Sequence, residues 1–124
     1  IHLRDLDYQA VEYASDLSSG AGMAAMQNLL KDNPPDAVFA VSDTLAAGAL
    51  RAIQQAGLRV PEDIAVVGFD GTELADMISL TTIEQPSRDI GRKAVDLLLN
   101  KIDNPDAPTE RVMMDWRFIS RAST

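Results

Sequence analysis

Short runs of apolar residues alternate along the chain with longer stretches in which apolar residues recur every three or four positions. The short runs are typical of strands, and the longer stretches are typical of helices that bury one face. The predicted strands cover residues 11–14, 37–42, 64–69, 81–85 and 111–120. The predicted helices cover residues 18–32, 44–57, 72–78 and 86–102.

The same periodicity predicts which side chains face the core. In the first and fourth helices these are Met23, Met26, Leu29, Leu30, Ile90, Ala94, Leu97 and Leu98. The last strand has alternating positions instead, so one of its faces should be packed and the other should be wet. Its packed positions are Val112, Met114, Trp116 and Phe118. We therefore expect Trp116 to be buried rather than exposed for stacking, and the methionines to occupy core or interface positions.

Strands that alternate with helices through short turns predict an α/β fold, in which a largely parallel sheet is flanked by helices. Neither an internal repeat nor a low-complexity tract interrupts this pattern. Ligands of such sheets bind outside the carboxyl ends of the strands, where loops and helix N-termini converge. The candidate site is therefore expected at those ends.

Polar residues follow two of the predicted buried strands. Ser42 and Asp43 follow one strand, and Asp70 and Gly71 follow another. If the two strands are neighbours, their spacing of about 5 Å brings these residues close enough to bracket one small ligand. A carboxylate accepts hydrogen bonds from adjacent hydroxyls or ring N–H groups, which suits sugars or nucleobases better than phosphates.

Each of these residues also has a purely structural interpretation. Either Asp43 or Ser42 can cap the following helix, and Asp43 is most simply its N-cap and would then touch no ligand. Asp70 and Gly71 form a favoured turn pair, since glycine adopts unusual backbone angles. The spacing alone leaves a turn role and a ligand role for Asp70 both open.

Composition favours a binding module over an enzyme. The 124 residues are 46% hydrophobic, which suits one domain or one lobe. The chain has no cysteine and a single histidine, His2, so thiol catalysis, a histidine-dependent triad and a multi-histidine metal site have no support. The stretch "GAGMAAM" matches neither a P-loop nor GxGxxG. We therefore expect no catalytic residue, no metal and no cofactor.

Charge and chain ends limit the partners. Acidic residues number 19 against 11 basic ones, and the resulting charge of −8 repels phosphate backbones, so this segment should not itself grip DNA. No apolar stretch approaches the roughly 20 residues that cross a bilayer. The chain starts at Ile1 without a methionine, and we expect it to be an internal part of a longer protein.

Three stretches resemble the effector-binding domain of LacI/GalR-type bacterial transcription regulators. They are "DAVFAVSDTLAAGALRAIQQAGLRVPEDIAVVGFDGTELA", "LTTIEQPSRDIGRKAVDLLLNKI" and "RFISRAST". The resemblance extends from about Val11 onward. It implies a periplasmic-binding-protein-like fold of two lobes that hold a small molecule, commonly a sugar or a nucleobase derivative. It also implies a cytoplasmic homodimer in which ligand binding alters operator affinity.

The resemblance identifies residues 1–124 as the C-terminal portion of that domain. Most of the chain would form one lobe, and the helix at about 87–103 would belong to the other. The DNA-binding headpiece, the hinge and the strand that usually supplies an arginine to the ligand are not in this chain. DNA contact is therefore expected only through a headpiece outside it.

The resemblance also suggests residue roles. It places the effector-contacting acid at Asp70, a polar ligand contact at Ser42 and a loop contact at Ser87. Leu17 stands where many members carry an aromatic that stacks on the ligand ring, and Gly71 stands where many have Asp or Asn. The subunit interface is expected at Ala47, Leu50, Met77 and Ile78, although packing within the lobe is an equal alternative for these residues.

Two other hypotheses compete with the regulator. One is a solute-binding protein of an ABC-type sugar transporter, which has the same fold but is exported. The other is a fragment without ligand affinity of its own, because a cleft needs both walls. The residues that precede Ile1 in the gene would separate the first two, since a regulator has a headpiece and an exported binder has a signal peptide.

Overall fold

The computed structural model describes residues 10–124, in which four helices alternate with four strands. The elements are α1 (Ser19–Asp32), β1 (Ala37–Phe39), α2 (Asp43–Gln55), β2 (Ala65–Asp70), α3 (Glu73–Met77), β3 (Thr81–Glu84), α4 (Ser87–Asp103) and β4 (Arg117–Ile119). The predicted α/β class, with a mostly parallel sheet flanked by helices, is confirmed. His2 lies outside the described residues.

The four strands form one sheet in the order β1-β2-β3-β4. The first three are parallel, with Val38 opposite Val66 and Gly68 opposite Thr82, and β4 runs antiparallel to β3. Parallel strands end on the same side of a sheet. The loops after β1, β2 and β3 therefore meet at one edge, which we call the carboxyl edge.

Helices α1 and α2 build the core on one face of the sheet. Met26, Ile53, Ile64, Val66 and Leu80 are almost completely buried there. The predicted inward face of α1 is confirmed, because Met23, Leu29 and Leu30 pack partly buried against this core.

Two glycines allow α1 and α2 to approach closely. A Cβ atom at Gly48 would lie 2.7 Å from the backbone nitrogen of Met23, and one at Gly22 would lie 2.8 Å from the Cα atom of Leu45. Farther along, Leu30 and Ala52 line the same surface groove. The helices therefore run side by side in the same direction, and both N-termini lie at the carboxyl edge.

The C-terminal residues close the opposite edge of the sheet. The Ser123 hydroxyl donates to the Val66 carbonyl at 2.6 Å and accepts from the Thr81 backbone N–H at 2.8 Å. The Val66 N–H donates to the Ser123 carbonyl at 2.8 Å. Arg121 donates from its guanidinium to the Leu80 carbonyl at 2.7 Å. These bonds tie the amino ends of β2 and β3 together.

Two strand predictions are wrong. Residues 11–14 form no strand, and Val11 and Tyr13 are largely exposed. The strand predicted at 111–120 is only Arg117–Ile119, which pairs with Thr82 to Glu84 of β3. Trp116 precedes this short strand and is 63% exposed, so its predicted burial is also wrong.

The predicted inward face of α4 is wrong as well. The helix forms close to its predicted bounds, but none of its residues is buried. Ile90 and Leu98 are exposed, and so are Val95, Leu99 and Ile102. Periodicity identifies an apolar face but does not identify what covers it, and here the 107–110 segment lines a groove with Leu97 and Leu98 without burying the helix.

Candidate functional site

The four predicted ligand residues lie at the carboxyl edge. Ser42 follows β1, Asp70 ends β2, and Ser87 begins α4 shortly after β3. Leu17 precedes α1, whose N-terminus lies beside that of α2. The topology thus brings all four to one edge, as strand alternation predicted, because β1 and β2 are neighbours.

Asp70 has an unusual backbone conformation. Its φ is 114°, and that of the following Gly71 is 71°. A positive φ at a residue with a side chain costs on the order of 1–3 kcal/mol, and such residues cluster at functional sites. The Gln85 side-chain amide donates to Oδ1 of Asp70 at 3.0 Å. Because a carboxylate has about four lone-pair positions, Asp70 keeps capacity to accept from ligand hydroxyl or N–H groups.

The predicted cap role of Asp43 is wrong. The N-cap of α2 is Ser42, whose hydroxyl oxygen accepts from the Leu45 N–H at 3.2 Å. Ser42 is almost completely buried, and its hydroxyl hydrogen is still available to donate. Both residues have side chains that cap helices well, so local sequence did not decide between them.

Asp43 instead lies at the centre of a hydrogen-bond network. It is fully buried, and its carboxylate accepts from the Thr72 N–H at 2.7 Å, the Thr72 hydroxyl at 2.8 Å and the Thr82 hydroxyl at 2.6 Å. Burial of a charge is costly unless hydrogen bonds satisfy it, and these three donors do so. The network joins α2 to β3 and to the turn that follows Asp70.

Gly68 makes room for this carboxylate. A Cβ atom at Gly68 would lie 2.5 Å from Oδ1 of Asp43 and 2.8 Å from Cδ2 of Leu80. A glycine inside a strand often marks such a close approach. Sequence reasoning missed the roles of Gly68, Thr72, Thr82 and Gln85. Gly68 within its apolar run was the available signal for a buried group beside β2.

The turn before α1 is fixed by local hydrogen bonds. The Ser18 N–H donates to Asp16 at 2.7 Å, and the Ser18 hydroxyl oxygen accepts from the Ala21 N–H at 3.2 Å. Hydrogen bonds from the hydroxyl and then the backbone of Ser18 lower the pKa of Asp16. Between them, Leu17 is 65% exposed. An ordered turn thus presents an apolar side chain to solvent.

Ser87 and the ion pair beside it complete the edge. Ser87 is exposed, and its hydroxyl lies 3.5 Å from the Gln85 carbonyl oxygen. Glu84 forms an ion pair with Arg117 of the adjacent strand. Within residues 10–124, no group of three metal-ligating side chains lies together. None of the helices in this range has the length and apolar character needed to cross a membrane.

The predicted interface residues lie on two neighbouring helices. Ala47 and Leu50 are partly exposed on α2, and Ile78, just after α3, is also partly exposed. Met77 is 77% exposed. Leu50 and Ile78 additionally pack against the core, so packing within the lobe explains part of their apolar character. Their role in an interface stays a prediction.

A family model described as the periplasmic binding protein-like domain matches residues 2–124. Among curated proteins, the ribose operon repressor of Haemophilus influenzae is 42% identical over 105 residues, which is 82% of this chain and 32% of the relative. The chain thus spans about a third of the length of the curated relatives it matches. These relatives are transcriptional repressors.

Solved structures have the same fold. A LacI-family regulator from Enterococcus faecium with bound ribose superposes with a TM-score of 0.75 at 36% identity, covering 86% of this chain and 40% of that one. The lac repressor dimer bound to operator and the anti-inducer ONPF gives a TM-score of 0.78 at 36% identity, covering 88% and 39%.

Proposed function

The chain belongs to the periplasmic binding protein-like domain family and matches LacI-family regulators, and on this basis we propose that it is the effector-sensing part of a bacterial LacI/GalR-like transcriptional regulator. In this role it binds a small molecule, and binding changes the affinity of the whole protein for its operator. In such coupling, effector binding changes operator affinity by a certain factor, and operator binding changes effector affinity by the same factor.

The conformation and exposure of Asp70 support the proposal most directly. Asp70, at the carboxyl end of β2, combines a backbone φ of 114° with a partly exposed carboxylate that accepts from Gln85. A costly conformation that presents an acceptor at the edge where α/β sheets bind ligands is typical of a binding residue. Asp70 is accordingly the principal ligand contact, and Ser42 and Ser87 add hydroxyl groups.

The proposed effector is a sugar or a related polar metabolite. Asp70 suits a molecule with adjacent hydroxyls, because one carboxylate can accept two of them. Leu17 gives an apolar contact without an aromatic face, so recognition depends on hydrogen bonds more than on stacking. The ribose-bound relative from Enterococcus faecium makes D-ribose the first probe to test.

In the proposed protein, most of the second lobe and the DNA-binding headpiece lie outside this chain. Helix α4 belongs to the second lobe, where its exposed apolar residues pack, and a headpiece outside the chain contacts the operator. The protein is cytoplasmic, has no catalytic role, and forms a homodimer through Ala47, Leu50, Met77 and Ile78. The lac repressor neighbour, which is a dimer, supports this last step.

A solute-binding protein of a sugar transporter is the second candidate, because it shares the fold family. The repressor relatives favour the regulator. The gene sequence upstream of Ile1 decides between the two: a helix-turn-helix headpiece supports the regulator, and a signal peptide would eliminate it. The third candidate is a part of the domain that binds no ligand on its own. Calorimetry of this chain against D-ribose, D-galactose and lactose tests it.

Substitution of Asp70 by alanine in the full-length protein tests the site. Removal of one partner of a polar contact costs about 1–3 kcal/mol, so effector affinity should fall by roughly five- to 150-fold. Operator affinity without effector should not change. Titration calorimetry with D-ribose, D-galactose and lactose, together with operator binding assays, measures both.

Asp36→Ala is the matched control, because Asp36 is an exposed carboxylate just before β1 and therefore at the opposite edge. It should leave effector affinity unchanged. Equal affinity of Asp70→Ala and the native protein for a sugar that binds would remove Asp70 from the site.

A further inference from the structure

The turn after β2 contains two consecutive residues with positive φ, Asp70 at 114° and Gly71 at 71°. Glycine adopts such angles readily, but aspartate does so only when surrounding structure enforces them. The direction in which the Asp70 side chain leaves the sheet depends on this backbone. Some group must therefore hold the turn.

The backbone N–H groups of Gly71 and Thr72 are both connected by hydrogen bonds to the Asp43 carboxylate. The Thr72 N–H donates directly to Oδ2 of Asp43 at 2.7 Å. The Gly71 N–H donates to the Thr82 hydroxyl oxygen at 3.3 Å, and that hydroxyl donates to Oδ1 of Asp43 at 2.6 Å. One side chain thus holds two successive peptide groups, one of them through a relay.

The anchor of this relay is fixed and inaccessible. Asp43 is fully buried in the first turn of α2, and Gly68 leaves the space that its carboxylate fills. Thr82 is equally buried in β3. Neither side chain is available to touch a ligand at the carboxyl edge, so any effect on binding must pass through the turn.

We propose that Asp43 and Thr82 are positioning residues, which hold the 70–72 turn in the conformation that presents Asp70 to the ligand. This inference rests on the proposed function, because it assigns ligand contact to Asp70. It predicts that loss of the relay lowers effector affinity through the geometry of Asp70 and not through loss of folded protein.

Thr82→Val tests the relay in the full-length protein, because valine keeps the shape and removes the hydroxyl. The Gly71 N–H then loses its acceptor and Asp43 loses one donor. Amide exchange at Gly71 and Thr72 should become faster, and affinity for whichever probe among D-ribose, D-galactose and lactose binds the native protein should fall about tenfold. Thr82→Ser restores the hydroxyl and should restore both values.

Thr81→Val is the matched control. Thr81 is also fully buried and is the preceding residue of β3, but its hydroxyl bonds to Arg121 and Thr124 of the C-terminal segment. This variant should lower the melting temperature without changing exchange at Gly71 and Thr72 or the affinity for the probe sugar. If Thr82→Val does not fold, Asp43→Asn replaces it and should change exchange and affinity in the same direction.

The outcomes separate this inference from the proposed function. Unchanged exchange and affinity in Thr82→Val, or the same affinity loss in Thr81→Val, overturns the positioning role. If no sugar binds the native protein, the proposed function fails, and if Asp70→Ala binds normally, the assignment of ligand contact to Asp70 fails. Exchange at Gly71 and Thr72 then still decides whether the relay holds the turn.

Discussion

Two aspartates at the carboxyl edge have the same chemistry and opposite environments. Asp43 is fully buried and its carboxylate accepts three hydrogen bonds, whereas Asp70 is partly exposed and accepts one from Gln85. A carboxylate that is fully satisfied within the protein stabilises structure. One with free lone pairs at the surface can bind a ligand. The surroundings, more than the residue type, distinguish the two carboxylates.

Gly68→Ala tests how tightly the buried carboxylate is enclosed. The new Cβ atom would meet Asp43 Oδ1 at 2.5 Å and Leu80 Cδ2 at 2.8 Å. Overpacking of this kind costs about 1–3 kcal/mol, so the free energy of unfolding should fall by that amount. Chemical denaturation measures it. Gly20→Ala serves as the control, since its nearest neighbour is Ser18 Oγ at 3.8 Å, and a comparable loss there would contradict the close approach at Gly68.

The sequence predicted where polar residues would lie but not which contacts they would make. Asp70 was located because an apolar run ends on it. Ser42 and not Asp43 caps α2, and the hydrogen bonds of Asp43 are to Thr72 and Thr82, which are distant in sequence. Contacts between separate strands and loops have no local signature, and this is why the hydrogen-bond network was not predicted.

At the scale of elements, helices followed their sequence signals more closely than strands did. Pro34, Pro35 and Gly57 mark helix ends in the sequence, and Pro86 marks a helix start. Strand ends depend on a partner. Residues 11–14 have strand-like composition but pair with no described strand, and β4 extends only as far as β3 does.

The C-terminal segment joins β2 and β3 through hydrogen bonds, and Ser123→Ala tests how much these bonds contribute to stability. The Ser123 hydroxyl bonds both strands from a buried position. Its removal leaves the Thr81 N–H without that acceptor and should lower the free energy of unfolding by about 1–3 kcal/mol. Thermal and urea denaturation give the value. Ser120→Ala, at an exposed position just after β4, should be nearly neutral; equal effects would show that the segment contributes no specific bonds.

At the scale of the whole molecule, burial is one-sided. Helices α1 and α2 cover one face of the sheet, while Phe39 and Phe118 remain about half exposed and α4 has no buried residue. The sequence predicted the buried face of α1 correctly, but the predicted burial of the α4 face and of Trp116 is wrong. The sequence could not assign the partners of the apolar faces, because amphipathic periodicity describes only the surface that needs cover.

Hydrogen exchange should reveal this asymmetry in the 124-residue chain. Most of the stability of a helix in a protein comes from tertiary packing of its apolar face, and no residue of α4 is buried, so its amides should exchange far faster than those of α2. Mass spectrometry of both helices measures the difference. In the full-length protein, α4 should gain protection as the second lobe covers it. Equal protection of α2 and α4 in the chain alone would contradict one-sided burial.

The burial of Asp43 affects which positions of such a site can be substituted during evolution. The residues that hold the turn are buried, whereas Leu17 and Ser87 at the same edge are exposed. Substitutions at exposed positions usually alter stability little. In the proposed site, substitutions at the exposed positions can therefore alter ligand preference while the buried residues keep the turn in place, and a designer seeking a sensor for a new molecule should vary Leu17 and Ser87 first.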